Sequence, residues 1–285
     1  MPAVFRASAP VADAGPDLGP LLELPGTWVG NGFNLISRPD QHDNKPFFLE
    51  LNSTRETLSF TEIGAPIPNR GSGQDDLFFL GVHYLQQISD GVTNGALHLE
   101  PGMWLNVPAT TDPVAPASVV RMATIPHGDA LLAQGSSLVV DGPPVISPVD
   151  STPTFSTGPN VGQQLTGAYL DPFTTTPLPP GIPGGAIANP NVVLTEAISQ
   201  QKIVETTVLI ISTTTDVGGV TGGIQNIPFV VKNANAVAMS AIFWIEKVRN
   251  DDGSTFMQLQ YTQQVTLDFL GINWPHIQVA TLVKQ

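Results

Sequence analysis

The chain has 285 residues, 41% of them hydrophobic and only 12% charged, roughly half the share of about 25% charged residues in an ordinary soluble domain. With 24 acidic against 11 basic side chains the formal charge is −13, which repels phosphate backbones and argues against nucleic acid as a partner. The absence of cysteine excludes a disulfide framework, thiolate catalysis and Cys-ligated zinc or iron–sulfur sites, so any metal must be held by His, carboxylate or Tyr.

A surface so short of charge must be covered by Thr, Ser, Asn, Gln and Gly. Helices normally carry Lys and Glu outside, so the shortage favours β structure. The length fits one large all-β domain or two smaller ones. The first 22 residues hold one Arg, several Pro and Ala and no secretory apolar core, and read as a flexible leader. No later stretch reaches the roughly 18 to 20 uninterrupted apolar residues of a spanning helix, so the expectation is a protein without a membrane span, cytoplasmic by default.

From Thr27 to Ile36 apolar and polar residues alternate, with Gly26, Gly30 and Gly32 among them. This suits a bent first strand approached closely by other backbone. Strand patterns follow at Phe47–Leu51, Arg55–Ile63, Phe78–Ile88, Ala96–Val107, Ser118–Ile125 and Asp129–Val140, with turn residues between them, the spacing of a meandering barrel or sandwich. Residues 141–189 then break the pattern. They are rich in Pro, Gly, Ser and Thr and read as an irregular insertion, an ordered surface excursion or a lid. Asn189 as cap and Pro190 as first position predict a helix ending near Gln201. Strands resume at Glu205–Thr214, Gly223–Val231, Ala236–Val248, Phe256–Phe269 and Ile277–Val283, with a hairpin turn at Arg249–Ser254. The sum is about eleven strands in one all-β domain over residues 23–285.

The residues most open to chemistry lie near the end, where Asn273-Trp274-Pro275-His276 runs into the last strand. An imidazole at the mouth of a strand can ligate a metal or haem iron through one nitrogen while the other donates to a carbonyl or carboxylate. His83, His98 and His127 fall on or beside neighbouring strands, but without the tight spacing of a metal site. Gly218–Gly223 has no Lys and no following helix and is a turn rather than a phosphate loop. The serines at 147, 151 and 156 lack a nucleophile-elbow context.

Three segments carry a family resemblance. Leu24-Pro25-Gly26-Thr27-Trp28-Val29-Gly30-Asn31-Gly32 resembles the opening strand of lipocalin-like and nitrobindin-like barrels, where a Gly-x-Trp closes the floor. Pro275-His276 followed by Gln278-Val279-Ala280-Thr281-Leu282 is similar to the last nitrobindin strand, which begins with the haem-ligating histidine. Ile125-Pro126-His127-Gly128-Asp129 through Gly135 resembles the turn and strand that flank the haem pocket. The segments occur in the family's order and span about Leu24–Val140 and the last third; residues 141–189 have no counterpart. A larger bacterial and fungal group of haem-binding proteins is similar in the same way.

The resemblance implies an antiparallel lipocalin/nitrobindin-like barrel holding haem b, with His276 as the iron ligand and His127 screening the opposite face. Trp28, Trp104, Phe243, Trp244 and Trp274 would give apolar walls, and Arg121 would meet a carboxylate. Such an iron would act on nitric oxide, peroxynitrite or peroxide. Without iron, the same barrel would carry a fatty acid, terpenoid or polyketide, or act on it as a cofactor-free enzyme with His127 or His276 as acid–base. A homo-oligomer, formed through the insertion, is a further expectation. The glutamines at 86, 87, 258, 260, 263 and 264 line the cavity or coat the outside.

Overall fold

Ten long strands form a closed up-and-down barrel in the computed structural model, which describes residues 18–217 and 220–285. They are β1 (Gly26–Asp40), β2 (Lys45–Glu62), β3 (Leu77–Asp90), β4 (Ala96–Val107), β5 (Ser118–Ile125), β6 (Asp129–Asp141), β7 (Lys202–Ser212), β8 (Asn235–Arg249), β9 (Thr255–Phe269) and β10 (Ile272–Lys284). Each pairs antiparallel with the next, and β10 returns to β1 with Trp28 opposite Lys284 and Leu35 opposite Ile277. Closure removes the sheet edges that would otherwise be open to pairing. The all-β, lipocalin-like barrel expected from the sequence is therefore what the chain forms.

Several boundaries differ from expectation for physical reasons. Phe47–Leu51 and Arg55–Ile63 are one continuous strand, β2, because Asn52, Ser53 and Thr54 pair without interruption with β1. Gly223–Val231 is only a short strand, Gly223–Asn226, bonded to the start of β6; Pro228 then opens a helix (Pro228–Asn233), as its fixed φ and missing N–H allow at a first turn. The last strand begins at Ile272 rather than Ile277, so His276 lies within β10, opposite Val265, and not at its mouth.

The interior is filled at one end only. Inward residues of all ten strands, among them Trp28, Leu58, Phe60, Val82, Trp104, Ala133, Leu209, Phe243, Leu259 and Leu282, form one apolar core. Leu18, Leu21 and Leu24 close it from below, and the Trp28 indole donates to the Leu24 carbonyl at 2.8 Å. The expected leader of residues 1–22 lies outside the described residues up to 17. Its last five residues are packed rather than loose, because two leucines there plug the barrel end.

Residues 142–201 pack as a second layer on the outer wall. Within them are a 3-10 turn, Gly167–Leu170, and two short α-helices, Asp171–Thr175 and Val192–Ile198, the latter in place of the helix expected from Pro190 to Gln201. Leu165, Ala186 and Leu194 cover outward Phe33, Leu35, Leu49, Trp244, Ile277 and Val279. Polar ties hold the layer: Gln260 donates to the Leu194 carbonyl at 3.1 Å and Ser156 to Asp268 at 2.8 Å. The insertion is thus a surface excursion, and it contributes no wall to the internal cavity.

The seam between β1 and β10 is close enough to require glycine. A Cβ on Gly30 would stand 2.0 Å from the Thr281 carbonyl oxygen and 2.8 Å from the Leu282 Cα. Gly30→Ala must push the two strands apart, and its urea unfolding midpoint is expected to fall by the equivalent of about 1–3 kcal/mol, whereas Ala at Gly64, where nothing lies within 4 Å, leaves the midpoint within experimental error.

Candidate functional site

Above the apolar core the inward positions turn polar. Tyr84 and Gln86 on β3, Glu100 on β4, Arg121 on β5, and Tyr261 and Gln263 on β9 occur where strand alternation points side chains inward. Arg121 is buried among the rings of Tyr84, Trp104 and Phe243, each with its centroid 5.4 to 5.7 Å from the guanidinium carbon. Its Nη2 donates to Glu100 Oε1 at 2.5 Å, its Nε to the Tyr84 hydroxyl at 2.8 Å and its Nη1 to Gln263 Oε1 at 2.6 Å. The Tyr84 hydroxyl donates to the same Glu100 oxygen. Burial alone would raise the Glu100 pKa, but Arg121, His98 and Tyr84 outweigh it and hold it at about 2.

A second cluster completes the layer. Tyr261 donates to Glu56 Oε2 at 2.6 Å and Gln86 to Glu56 Oε1 at 2.7 Å. Burial pushes Glu56 up to about 7 despite these bonds, because Arg121 and His98 act on it through charge alone, without the hydrogen bond that Arg121 gives Glu100.

Over this layer lies a cavity of about 680 Å³, within the range of small-molecule sites. Its walls are largely apolar, with Ile36, Ile88, Leu131, Met239 and Val265 among them, and Phe229 and Val230 of the Pro228–Asn233 helix lie at its rim. Its other surfaces are lined by the amides and imidazoles of Asn34, Asn52, Gln86, Gln263, Gln278, His98, His127 and His276, together with Ser37 and the carboxyl of Asp129. Arg38 reaches the lining but is paired with Glu50 at 2.7 Å.

The histidines differ. His276 projects into the cavity from β10 with its Nε2 3.2 Å from Asn34 Nδ2. Burial, then the nearby His98 and His127, depress its pKa to about 3, so the ring is neutral at ordinary pH. His98 places its Nε2 3.1 Å from Glu100 Oε2. The His127 ring is 5.4 Å from that of His98, and burial, with His98 second, lowers its pKa.

Of the residues singled out by sequence, His276 and His127 line the cavity, and Arg121 lies one layer beneath it, reaching it through Gln263 and, by way of Glu100, through His98. The two tryptophans do not line it. Trp28 belongs to the closed end, and Trp274 lies on the outer wall, 4.4 Å from Phe47 and stacked on Phe269 at 5.2 Å. Trp104 and Phe243 pack under Arg121, and Trp244 faces the covering layer. The grouping of His83 with His98 and His127 is broken, because His83 has the opposite strand parity and is exposed on the outside. Gln258 and Gln260 are buried under the excursion, while Gln86 and Gln263 face the cavity. Sequence reasoning passed over the pairing of His98 with Glu100, although their spacing of two in a strand put them on one face.

Haem, which the resemblance implies, fits these residues at the iron and along the walls: a neutral imidazole faces an apolar-lined space of adequate volume. Its propionates would meet Arg38 only by competing with Glu50.

The fold and cavity define a lipocalin-like β-barrel with room inside for a small molecule. No protein-family model matches the sequence, and no curated protein matches it. Among solved structures, the crystal structure of Rv2717c from M. tuberculosis is similar with a TM-score of 0.47 and 18% identity, over 96% of this chain and 98% of that one. Among the described residues no helix is long and apolar enough to cross a membrane.

The His276 shift has a definite sign. The folded protein leaves this ring unprotonated down to about pH 3, whereas the unfolded chain protonates it near 6.5. The unfolded state therefore takes up the extra proton between those values, and this contribution to stability falls as pH falls. Wild type is expected to lose stability relative to His276→Gln from pH 6.5 towards 3, at up to about 1.4 kcal/mol per pH unit. Urea titrations of both proteins across that range measure it; parallel curves would remove the assigned burial.

Proposed function

We propose that the barrel binds a small, largely apolar and uncharged molecule in the internal cavity, with its polar groups against the amide and imidazole side chains. One observation carries this reading. The cavity combines apolar walls with Asn34, Gln86, Gln263, Gln278 and His276; its nearest arginines, Arg38 with Glu50 and Arg121 with Glu100, are already paired, and Asp129 adds a carboxyl to the lining whose Oδ1 is buried without a hydrogen bond. A neutral ligand keeps those pairs intact and loses little hydration on entering. Terpenoids and neutral polyketides fit this chemistry better than a fatty acid, whose carboxylate would have to displace Glu50 from Arg38.

Val265 faces the cavity from β9, so a tryptophan there takes up ligand space rather than core space. Wild type is expected to take up Nile red, a neutral apolar dye, with saturable fluorescence, and Val265→Trp to weaken that uptake by about tenfold or more, the effect of roughly 1.4 kcal/mol of lost contact. Equal uptake by both proteins, in the presence of an unchanged melting transition, would refute the cavity as the binding site.

The second reading is haem, favoured by the neutral His276 ring that faces the apolar space. His276 would hold the iron, Ile88, Leu131 and Val265 would contact the macrocycle, and His127 would lie near the rim. Bound there, the iron would supply an open position for nitric oxide or peroxide. Titration with hemin is expected, on this reading, to give a Soret band that is lost in His276→Ala; a band that persists in the variant rules out His276 as the ligand.

A further inference from the structure

We propose that the cavity is a site of proton transfer at carbon: His98 removes a proton from the carbon beside a carbonyl of the bound ligand, and the Gln263 amide donates to the oxygen that becomes negative. This rests on the ligand-binding reading above and adds a reaction to it. The ligand class is a neutral enolisable ketone, in particular one with a β,γ double bond.

The geometry of His98 sets its proton. Glu100 is fully buried, and its Oε1 receives Arg121 and Tyr84, so the group remains a carboxylate and can only accept. Its Oε2, 3.1 Å from His98 Nε2, therefore places the ring hydrogen on Nε2 and the lone pair on Nδ1. That nitrogen has no hydrogen-bond partner among the described residues, and the side chain, 16% exposed, lines the cavity. A carboxylate behind an imidazole both fixes the tautomer and stabilises the imidazolium formed when the ring takes a proton.

The same guanidinium sets the donor. Arg121 has only N–H groups to offer, so the 2.6 Å contact from its Nη1 fixes Oε1 of Gln263 towards it and leaves the Gln263 NH₂ to the cavity that this residue lines. An amide held by a buried cation is a preorganised donor for developing negative charge. Arg121 thus orients the base through Glu100 and the donor through Gln263, and is a positioning residue for both.

The step balances without a co-reactant. The proton passes to His98 Nδ1, the C–H pair becomes the new carbon–carbon double bond, and the carbonyl π pair moves to oxygen against the Gln263 N–H. Return of the proton to the γ carbon restores neutral His98 and brings the double bond into conjugation, with no change in composition or oxidation state. Neither His276 nor an iron is required, so the inference does not depend on the haem reading.

The test uses the full chain and the β,γ-unsaturated isomer of cyclohexenone, following the ultraviolet absorbance of the conjugated product. Binding of the same ketone is measured separately by displacement of Nile red. The expected result is saturable turnover by wild type and by His83→Gln, altered on the outer face, and a fall in kcat of about 100-fold or more in His98→Gln with dye uptake retained. Gln263→Glu keeps an acceptor for Arg121 but removes the N–H donors, and is expected to lower kcat with a smaller change in KM; it also stands in should His98→Gln fail to take up dye. Displacement of the dye without turnover above that of free imidazole, or turnover unchanged in both variants, overturns the proposal and leaves ligand binding intact. Absence of dye uptake by wild type overturns the binding reading and this one with it.

Discussion

The interior of this barrel is organised by one buried cation. Arg121 has three aromatic faces around it and donates to Glu100, Tyr84 and Gln263. Desolvating a guanidinium and a carboxylate costs several kcal/mol per ion, and well-packed hydrophobic residues in place of such a pair are often at least as stable. The pair therefore does something other than hold the barrel shut. It marks the level at which the barrel stops being packed: beneath it the apolar core is continuous, and above it the inward side chains surround space. Because every donor of the guanidinium has a direction, it also fixes the rotamers of groups on three different strands.

That level is held by walls of unequal construction. The residue 142–201 layer covers the outside of β1, β2 and β8 to β10, so these strands are buried on both faces: Phe33 and Leu35 point out under the layer while Asn34 between them points into the cavity. The strands opposite, β3 to β6, leave Leu85, Leu99, Met103 and Leu132 exposed outside. His276 and Gln278 therefore project from a wall backed by a second core, and His98 and His127 from or beside the single-layered one. The excursion stiffens one side of the site without entering it.

Much of the fold was legible because its signal is local. Alternation located β4 and β5 to the residue, and the glycines of the first strand marked the seam where β10 approaches within van der Waals distance. What was not legible depends on which face is inward. His276 lines the cavity, whereas Trp28 and Trp274, read as pocket walls, do not, because a tryptophan satisfies a closed barrel end, an outer-wall sandwich and a ligand pocket equally well by composition. The same holds for the glutamines: Gln260 and Gln263 differ by an odd step on one strand and so fall on opposite sides of the wall. The residue 223–231 segment misled for a different reason, since an apolar run broken by proline suits both a strand and a short helix, and only its pairing with β6 decides where the strand ends.

The charge pattern of the whole chain also bears on the occupant. A formal charge of −13 surrounds a cavity whose polar lining is mostly amide and imidazole, with the Asp129 carboxyl among them, and that field opposes the entrance of an anion. Arg38 is engaged by Glu50 at the rim, and Arg121 is engaged by Glu100 below, so an incoming carboxylate finds no free cation among the lining groups. Neutral molecules face no such barrier. The scarcity of Lys and Arg that first suggested a β fold therefore also selects, through the same lack of positive charge, for an uncharged ligand, and it places the strongest electrostatic feature of the site, the Arg121–Glu100 pair, where it can act on side chains facing the ligand rather than on the ligand itself.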